Sequence, residues 1–561
     1  MTTPVPAVPP SPARALLAVA GVVTVVWLAV IIVWRDAPFA LTFDDAFYYF
    51  GIARNVAAGH GSTFDGINLT NGYHPLWMLL AVPVFGLGLD GTDAARVLLG
   101  LQVCCYGAAL ALVAMVGTQS IGHWPRVAAA RPRDASRAAR SCTVMVAVAF
   151  AVLAANPYMV RIFVNGLESG VLVVLDAALL AAAASCRGRF VTRGSTGERL
   201  AIAVLLALIV LARTDSVLLV GALGLWSLAE ARPLGRRAIR PLLELFAIPA
   251  LVTVVYVGSN QLWFGVAVQI SGLTKRAPVT LGRVLVIGLV LFAVAVVGVW
   301  GFRRSGRRDG GTGQGRFRRA GAFTAATAWF AAFCVVMVAY YQVLQSQQWL
   351  WYYCPVALYA LFLVVLGVAD FSEAALLEAA PNRSPARALA PIAAILVTPL
   401  VVGFWFQART FADPHQRSIE LANRDAGEWI DANLAPNAVL ASWDAGVVGY
   451  YANRPVMNLD GVANSYGYYQ ASRHGQVGAF LAERGLTGIV NHGSPVNGED
   501  PDVRAFVGAT FGPAVADGAH VVRQWPFVFS GVTTGAGGTG TGTRSLAVFL
   551  YALPTPLPGA S

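Results

Sequence analysis

Long apolar runs dominate the first 406 residues of the chain. The first, from Ala15 to Trp34, has no small-residue cleavage site, so we expect a retained span and not a signal peptide. The short run Pro75–Leu89 suits a helix that lies along the interface or re-enters it. The remaining pattern predicts about eleven transmembrane helices, at 15–34, 94–118, 142–160, 169–186, 200–212, 215–230, 241–260, 281–302, 320–343, 351–369 and 388–406.

The pattern changes after these spans. An amphipathic helix is predicted from His415 to Asn433, and short apolar runs at 438–443, 455–459 and 487–491 predict buried strands. Helical patterns lie between the strands, which indicates an α/β domain over 407–561. The Gly/Thr-rich stretch 531–543 predicts a flexible loop before a last strand.

Composition supports a membrane protein. Hydrophobic residues make up 57% of the 561 residues and charged residues 12%, about half the charged share of a soluble domain. This excludes a soluble enzyme and a disordered chain. The predicted architecture is a polytopic α-helical membrane domain over 1–406, with a first outside loop at 35–93, followed by the α/β domain. The six cysteines lie in or beside apolar runs and indicate packing residues.

The distribution of charge predicts the orientation. The net charge is +11, yet nine Arg and twelve acidic residues follow from Arg409 onward, so the excess of cations belongs to loops between spans. Arginine clusters occur at 126–140, 187–199, 232–240 and 303–319. The positive-inside rule places them in the cytoplasm and the α/β domain outside the bacterial cytoplasmic membrane. A nucleic-acid partner is not expected.

The segment after the first span carries the strongest candidate chemistry. Asp44 and Asp45 open an amphipathic pattern in LTFDDAFYYFGIARN. One acid could cap a helix, but two exceed that need. A carboxylate beside apolar walls gains basicity by desolvation and can take a proton from a hydroxyl. We therefore predict Asp44 and Asp45 as catalytic residues, with Arg54, Tyr73 and His74 nearby as substrate-binding candidates.

Further ionisable residues fall near the same predicted side. Arg161 and Glu168 lie in NPYMVRIFVNGLES, and Arg213 and Asp215 in ARTDS. Ionisable groups near membrane depth are functional or paired, so a purely structural Arg213–Asp215 pair is the alternative.

Two adjacent cations and an aromatic loop complete the set. Lys275, the sole lysine among 40 basic residues, precedes Arg276, and together they could hold a phosphate or contact lipid headgroups. The aromatic loop 341–353 is typical of an interfacial belt, with sugar stacking as the alternative.

No nucleotide-binding, metalloprotease or serine-hydrolase motif occurs in a credible context. A transfer reaction at the outer face therefore needs a preactivated donor that is already in the membrane. No cofactor is assigned. A divalent cation at the acidic pair is conceivable, but dedicated ligand spacing is missing.

Several elements together resemble the GT-C superfamily of membrane glycosyltransferases: the acidic pair after the first span, the ARN segment, NGYHPLW, the GLES turn and the RTD turn. The similarity is to bacterial enzymes that use polyprenyl-phosphate sugars, including mycobacterial cell-wall arabinofuranosyltransferases. It covers about 1–406. The resemblance implies a catalytic acidic motif in the first outside loop, a lipid-phosphate donor and an outer domain that contacts the acceptor.

The sequence therefore predicts an inverting glycosyltransferase that moves a sugar from a polyprenyl-phosphate donor to an envelope glycan, lipid or protein hydroxyl. A protein O-mannosyltransferase or a lipid A aminosugar transferase would share this architecture. A transporter is the other alternative, although the acids concentrate in outer loops and no inverted repeat is visible.

Overall fold

The computed structural model describes residues 12–121, 124–278, 280–286, 288–289, 318–346, 348–380, 383–535 and 538–558. Most of the predicted span 281–302 and of the basic loop 303–319 lies outside these residues.

The first 412 residues are helical wherever regular structure is described. Short 3₁₀ or π turns separate some of the helices, at Thr214–Ser216, Arg232–Ala238, Leu350–Tyr353 and Ala393–Val397. The helices are α1 (Pro12–Val33), α2 (Ala37–Leu41), α3 (Asp44–Ala57), α4 (Pro75–Gly86), α5 (Gly91–Ile121), α6 (Pro125–Ala130), α7 (Ala135–Ala155), α8 (Pro157–Phe163), α9 (Ser169–Ser185), α10 (Phe190–Arg193), α11 (Thr196–Ala212), α12 (Val217–Ala231), α13 (Ile239–Phe264), α14 (Ile270–Thr274), α15 (Arg318–Ala326), α16 (Ala328–Leu344), α17 (Cys354–Glu378), α18 (Pro385–Ile392) and α19 (Thr398–Ala412).

Six helical segments among the described residues are long and apolar enough to cross a membrane, and the pair α15 and α16, bent by 74°, would make a seventh. The protein is therefore a multi-pass membrane protein. The number of eleven crossings stays a prediction. The short run after Tyr73 forms the 12-residue helix α4. The six segments are Pro12–Val33, Gly91–Ala130, Ala135–Ala155, Thr214–Phe264, Leu350–Glu378 and Pro385–Ala412.

A mixed sheet with flanking helices follows. The helices are α20 (Ser418–Asn433), α21 (Gly446–Ala452), α22 (Tyr466–Arg473), α23 (Val477–Glu483), α24 (Pro501–Phe511) and α25 (Pro513–Gly518), and the strands are β1 (Val439–Ser442), β2 (Val456–Asn458), β3 (Leu486–Gly493), β4 (His520–Gly535) and β5 (Gly538–Ala552). The strand order is β2-β1-β3-β5-β4. β1 pairs in parallel with β2 and β3, and β5 pairs antiparallel with β3 and β4.

One sequence expectation in this region is wrong. The Gly/Thr-rich stretch 531–543, predicted to be a loop, belongs to the β4–β5 hairpin, whose register continues to Gly535 opposite Gly538. Alternating glycine and threonine have no apolar periodicity, so the local pattern gave no sign of a strand. The strand forms because its backbone groups make hydrogen bonds to the partner strand, which a local sequence pattern does not predict.

Helix α3 joins the membrane helices to this sheet domain. Its apolar side chains Phe47 and Phe50 are fully buried, and α3 packs against α4 on one side and α21 on the other. Gly166 allows close packing there, because a Cβ at this position would lie 2.6 Å from that of Ala46. The first turn of α3 is thereby fixed between the two parts of the molecule.

Candidate active site

A cavity of about 340 Å³ lies beside the first turn of α3. Its lining comes from α3, the segment before α4, the turn before α9, the Arg213–Asp215 turn with the adjoining ends of α11 and α12, α13, the α14 segment, the end of α16, the aromatic loop and Val462 of the sheet domain. Seven of the eleven predicted site residues line it: Asp45, His74, Glu168, Arg213, Asp215, Lys275 and Arg276.

Asp45 is the acidic residue of the pair that faces the cavity. Its Oδ2 lies 3.4 Å from Lys275 Nζ, which is also 3.3 Å from the hydroxyl of Tyr352. Burial lowers the pKa of the Lys275 ammonium, but the charges of Asp45 and Tyr352 more than offset it, so this pKa is raised. Lys275 therefore stays charged, and its long contact with Asp45 leaves both groups open to a ligand.

Asp44 points instead into the sheet domain. Its two carboxylate oxygens accept hydrogen bonds from the backbone N–H groups of Gly446 and Val447, at 2.9 and 2.7 Å. Burial, and then the charge of Asp444, raises the pKa of Asp44. The two adjacent acids thus do different work: Asp44 holds the first turn of α21, and Asp45 is presented to the cavity.

Arg213 is the centre of a buried ionic group. It is 1% exposed, and its guanidinium lies 3.1 Å from Asp215 Oδ1, 2.6 Å from the Tyr341 hydroxyl and 3.1 Å from the carbonyl of Trp351. Tyr341 in turn donates to Asp215. These bonds offset the cost of burying the charge. The Arg213–Asp215 pair connects several elements and also lines the cavity. A structural role and a functional role for this pair are therefore compatible.

Glu168 and His74 occupy the wall next to Arg213. Glu168 accepts a 3.0 Å hydrogen bond from the Tyr49 hydroxyl, and its other oxygen lies 3.5 Å from Arg213 and 3.6 Å from His74 Nε2. Burial lowers the pKa of His74 although the charge of Glu168 opposes it. On its other edge the imidazole contacts Gln269.

Arg276 is the exposed cation of the cavity lining. Within the described part of the chain, no carboxylate lies within ion-pair distance of its guanidinium. Arg213 and Lys275 both contact acids, so Arg276 is the guanidinium with its donors available for an anionic ligand.

Besides Asp44, three predicted residues lie outside this cavity. Arg54 donates to the carbonyl of Tyr450 at 3.0 Å, and the Tyr73 hydroxyl lies 2.9 Å from Ser62 Oγ. Arg161 lies over the ring of Phe43, 4.2 Å from its centroid. Their contacts hold α3, the first outside loop and α8 in place.

The cavity has an apolar side formed by α11, α12 and α13. Val210, Val217 and Val257 line it. Beyond Val257 the outward surface of α13 is strongly exposed, with Leu251 at 64% and Val254 at 68%. The polar end of the cavity is therefore continuous with an apolar helix surface that faces the membrane.

Sequence patterns did not single out several lining residues. Tyr49 lies in a motif valued for its acids, and Gln269 is an isolated amide. Tyr341 and Tyr352 stack at 4.3 Å within the aromatic loop, for which sugar stacking was only the alternative. One signal for these residues was available in the sequence: the amide of Gln269 lies close in the chain to Lys275, and the tyrosines lie near the end of α16.

The sheet domain adds polar residues next to α3. Asp444 follows β1, Asp460 follows β2, and His492 lies near the end of β3, so all three are at the carboxyl edge of the parallel strands. His492 Nε2 lies 3.5 Å from Asp444 Oδ2. Ligands of open α/β sheets bind outside this edge. Acids that directly follow predicted strands were the signal in the sequence.

A divalent cation at the acidic pair stays a prediction. Both oxygens of Asp44 accept backbone N–H bonds and Asp45 pairs with Lys275. Among the residues that the structure describes, no group of three or more His, Cys, Asp or Glu side chains could hold a metal ion.

Comparisons with known proteins give limited similarity. Residues 411–546 match a family model described as a domain of unknown function, DUF8728. No curated protein sequence matches the chain. Among the solved structures that are similar are ArnT from Cupriavidus metallidurans, in the apo state, and the Archaeoglobus fulgidus oligosaccharyltransferase in complex with Zn and sulfate. Each is 13% identical, and each similarity covers 94% of this chain.

The similarity covers 98% of the ArnT chain at a TM-score of 0.43, and 72% of the oligosaccharyltransferase chain at a TM-score of 0.40. Both TM-scores lie below 0.5, so these similarities carry no argument about function. Function has to be inferred from this chain's own residues.

Proposed function

We propose that the protein is an integral membrane glycosyltransferase of the GT-C type that transfers a sugar from a polyprenyl-phosphate donor to a hydroxyl acceptor. The observation that carries this proposal is the placement of Asp45 in a cavity that combines cations with an apolar, membrane-facing side. A base, an anion site and a path for a lipid chain are the three requirements of such a reaction.

In the proposed mechanism Asp45 takes the proton of the acceptor hydroxyl. The acceptor oxygen then forms a bond to the anomeric carbon while the bond from that carbon to the phosphate oxygen breaks, with inversion. The electron pair stays on the phosphate, which leaves as polyprenyl phosphate. Lys275 and Arg276 stabilise the charge that grows on this leaving group.

The ionic contacts around Asp45 favour this role. The Lys275 ammonium lies 3.4 Å from the Asp45 carboxylate. This distance is longer than that of a strong charge-assisted hydrogen bond. An arriving phosphate competes for Lys275 and frees the Asp45 carboxylate as the donor binds. Binding of the donor thereby prepares the base for the acceptor.

The polyprenyl chain is proposed to lie along α13, where Val257 connects the cavity to the exposed apolar surface. Membrane lipids otherwise cover this surface. The acceptor is proposed to approach from the opposite side, past Asp444 and His492 at the carboxyl edge of the sheet. Envelope glycans and other hydroxyl-bearing molecules suit this polar approach.

The proposed location is the bacterial cytoplasmic membrane, with the reaction on its outer face. A membrane domain over 1–406, containing the outside loop 35–93, would carry the catalytic residues. A domain over 407–561 would lie in the extracytoplasmic space. The dense arginine clusters of the opposite loops support this orientation.

The test is transfer by the purified full-length chain in nanodiscs, using a small panel of polyprenyl-phosphate sugars. Asp45→Asn is expected to reduce transfer about 100-fold or more, because removing a general base costs 10²–10⁴ in rate. Asp93→Asn is the matched control, since its side chain is 76% exposed and away from the cavity. Wild-type activity in Asp45→Asn would overturn the mechanism.

A further inference from the structure

The hydrogen bonds of His74 determine which ring nitrogen carries its proton. The backbone N–H of Thr214 lies 3.3 Å from His74 Nδ1, and a backbone N–H can only donate. Gln269 Nε2 lies 2.9 Å from the same nitrogen. Two donors therefore converge on Nδ1.

The amide orientation of Gln269 is fixed by its other contacts. Its Oε1 accepts a 2.9 Å hydrogen bond from Thr214 Oγ1, and its Nε2 also donates to the carbonyl oxygen of Tyr73. Exchanging the oxygen and nitrogen would place two acceptors against each other at Tyr73. Nδ1 of His74 is consequently an acceptor without a proton.

This arrangement leaves the proton on Nε2 and the imidazole neutral. Protonating Nδ1 would place its N–H against the two N–H donors that already point at it. The charges around the ring do not favour an imidazolium strongly, because Glu168 and Asp215 are opposed by Arg213 and Lys275. Among the described residues no hydrogen bond from Nε2 is found, and Glu168 Oε1 lies 3.6 Å from it. This distance exceeds that of a hydrogen bond, so the Nε2–H donor is available within the cavity.

We propose that Gln269 and the Thr214 amide hold His74 as a neutral Nε2–H donor that binds a phosphoryl oxygen of the ligand. Gln269 is then a positioning residue, and His74 is a donor and not a base. A neutral donor cannot compete with Asp45 for the acceptor's proton, and its bond strengthens as the phosphate gains charge. The identity of the ligand rests on the proposed function, whereas the position of the proton does not.

The first test is ¹⁵N NMR of the histidine ring nitrogens in the full-length chain in nanodiscs. The chain has seven histidines, and a His74→Asn sample assigns the signal. We expect the Nε2–H form of neutral imidazole at pH 7, persisting below the ordinary histidine pKa of about 6.5. An Nδ1–H form, or an imidazolium at pH 7, would overturn the proposal.

Substitution of Gln269 separates positioning from mere packing. Gln269→Glu replaces the donor to Nδ1 by an acceptor, so the proton is expected to move to Nδ1 or the ring to become charged. Gln269→Leu removes the donor without offering an acceptor and is expected to shift the signals less. Equal shifts in the two variants would overturn the role assigned to the amide.

The ligand is tested with farnesyl phosphate, farnesol and inorganic phosphate, with binding followed independently by tryptophan fluorescence. Farnesyl phosphate is expected to shift the His74 Nε2–H signal at concentrations where the other two do not. No shift at saturation, or an equal shift with farnesol, would overturn phosphoryl binding. An equal response to inorganic phosphate would overturn a lipid-linked ligand. The tautomer would survive a failure to detect sugar transfer, so the two proposals fail separately.

Discussion

The two adjacent aspartates of α3 show how one residue of displacement separates two roles. A helix turns by about 100° per residue, so Asp44 and Asp45 face different surroundings. Asp44 contacts backbone N–H groups of the sheet domain, and Asp45 contacts Lys275. The sequence predicts an acidic site here, but which acid faces the cavity depends on residues some 400 positions later.

At this scale Asp44→Asn is expected to weaken the attachment of the sheet domain. The amide keeps one acceptor and turns an N–H donor toward the other backbone N–H, which costs about 1–3 kcal/mol. The thermal unfolding midpoint in detergent should fall relative to Asp93→Asn, whose wild-type side chain is 76% exposed. An unchanged midpoint together with loss of transfer would instead give Asp44 a chemical role.

The convergence of the site residues could be only partly predicted. Glu168 and Arg213 were singled out as ionisable groups near membrane depth and Lys275 as one of two adjacent cations, and that reasoning needs only the local sequence. Their arrangement around one cavity depends on the packing of α9, α11 and α14, which no local pattern encodes. Arg161 has the same local signal and yet lies over Phe43, outside the cavity.

Among the helices, α13 has one surface toward the cavity and another toward lipid. Val257 lines the cavity and is 39% exposed, whereas Val254, one turn away, is 68% exposed and does not line it. Val257→Trp is expected to raise KM for a long-chain polyprenyl donor several-fold. Val22→Trp on α1 is the control, because Val22 is 62% exposed and does not line the cavity. It should leave KM unchanged, as measured by initial transfer rates against donor concentration. Equal effects would remove α13 from the lipid path.

Helix α20 carries a group that makes stability depend on pH. Burial raises the pKa of Glu420 to about 7, although the charge of Arg161 opposes this, and the charge of Asp444 adds to it. The folded state then binds more protons than the unfolded state between about pH 4.5 and 7, so stability falls as pH rises through this window.

The check is the thermal unfolding midpoint at about pH 5 and pH 8. The wild type is expected to lose more stability on going to pH 8 than Glu420→Gln, in which the titrating group is absent. Glu428→Gln is the control on the same helix, because its wild-type side chain is 59% exposed. A Glu420→Gln variant with the wild-type pH slope would contradict the assignment.

For the whole molecule, orientation is the decisive expectation. All six native cysteines are free, so a cysteine-free background can carry single reporters. Ser494→Cys, on the exposed loop after β3, should react with a membrane-impermeant maleimide in intact spheroplasts. Gly197→Cys, exposed at the start of α11 on the arginine-rich side, should react only after permeabilisation. The opposite pattern would invert the topology.

The division into apolar helices and a sheet domain was predictable because hydrophobic periodicity is local. Strands β1, β2 and β3 lie where short β-rich runs predicted them, within one or two residues. The β4–β5 hairpin was missed, since its glycines and threonines acquire their structure from pairing across the sheet. Local composition predicts elements, and long-range pairing determines how they complete the molecule.

The attachment of α3 to the sheet domain also constrains biosynthesis. Tyr48 and Asp44 bind backbone atoms that lie 395 to 403 residues further along the chain. At a translation speed of about 20 residues per second, roughly twenty seconds separate the emergence of the helix from that of its partner. During this interval the aromatic surface of α3 lacks its final cover, so a chain truncated before residue 446 would keep an exposed, aggregation-prone apolar surface on α3.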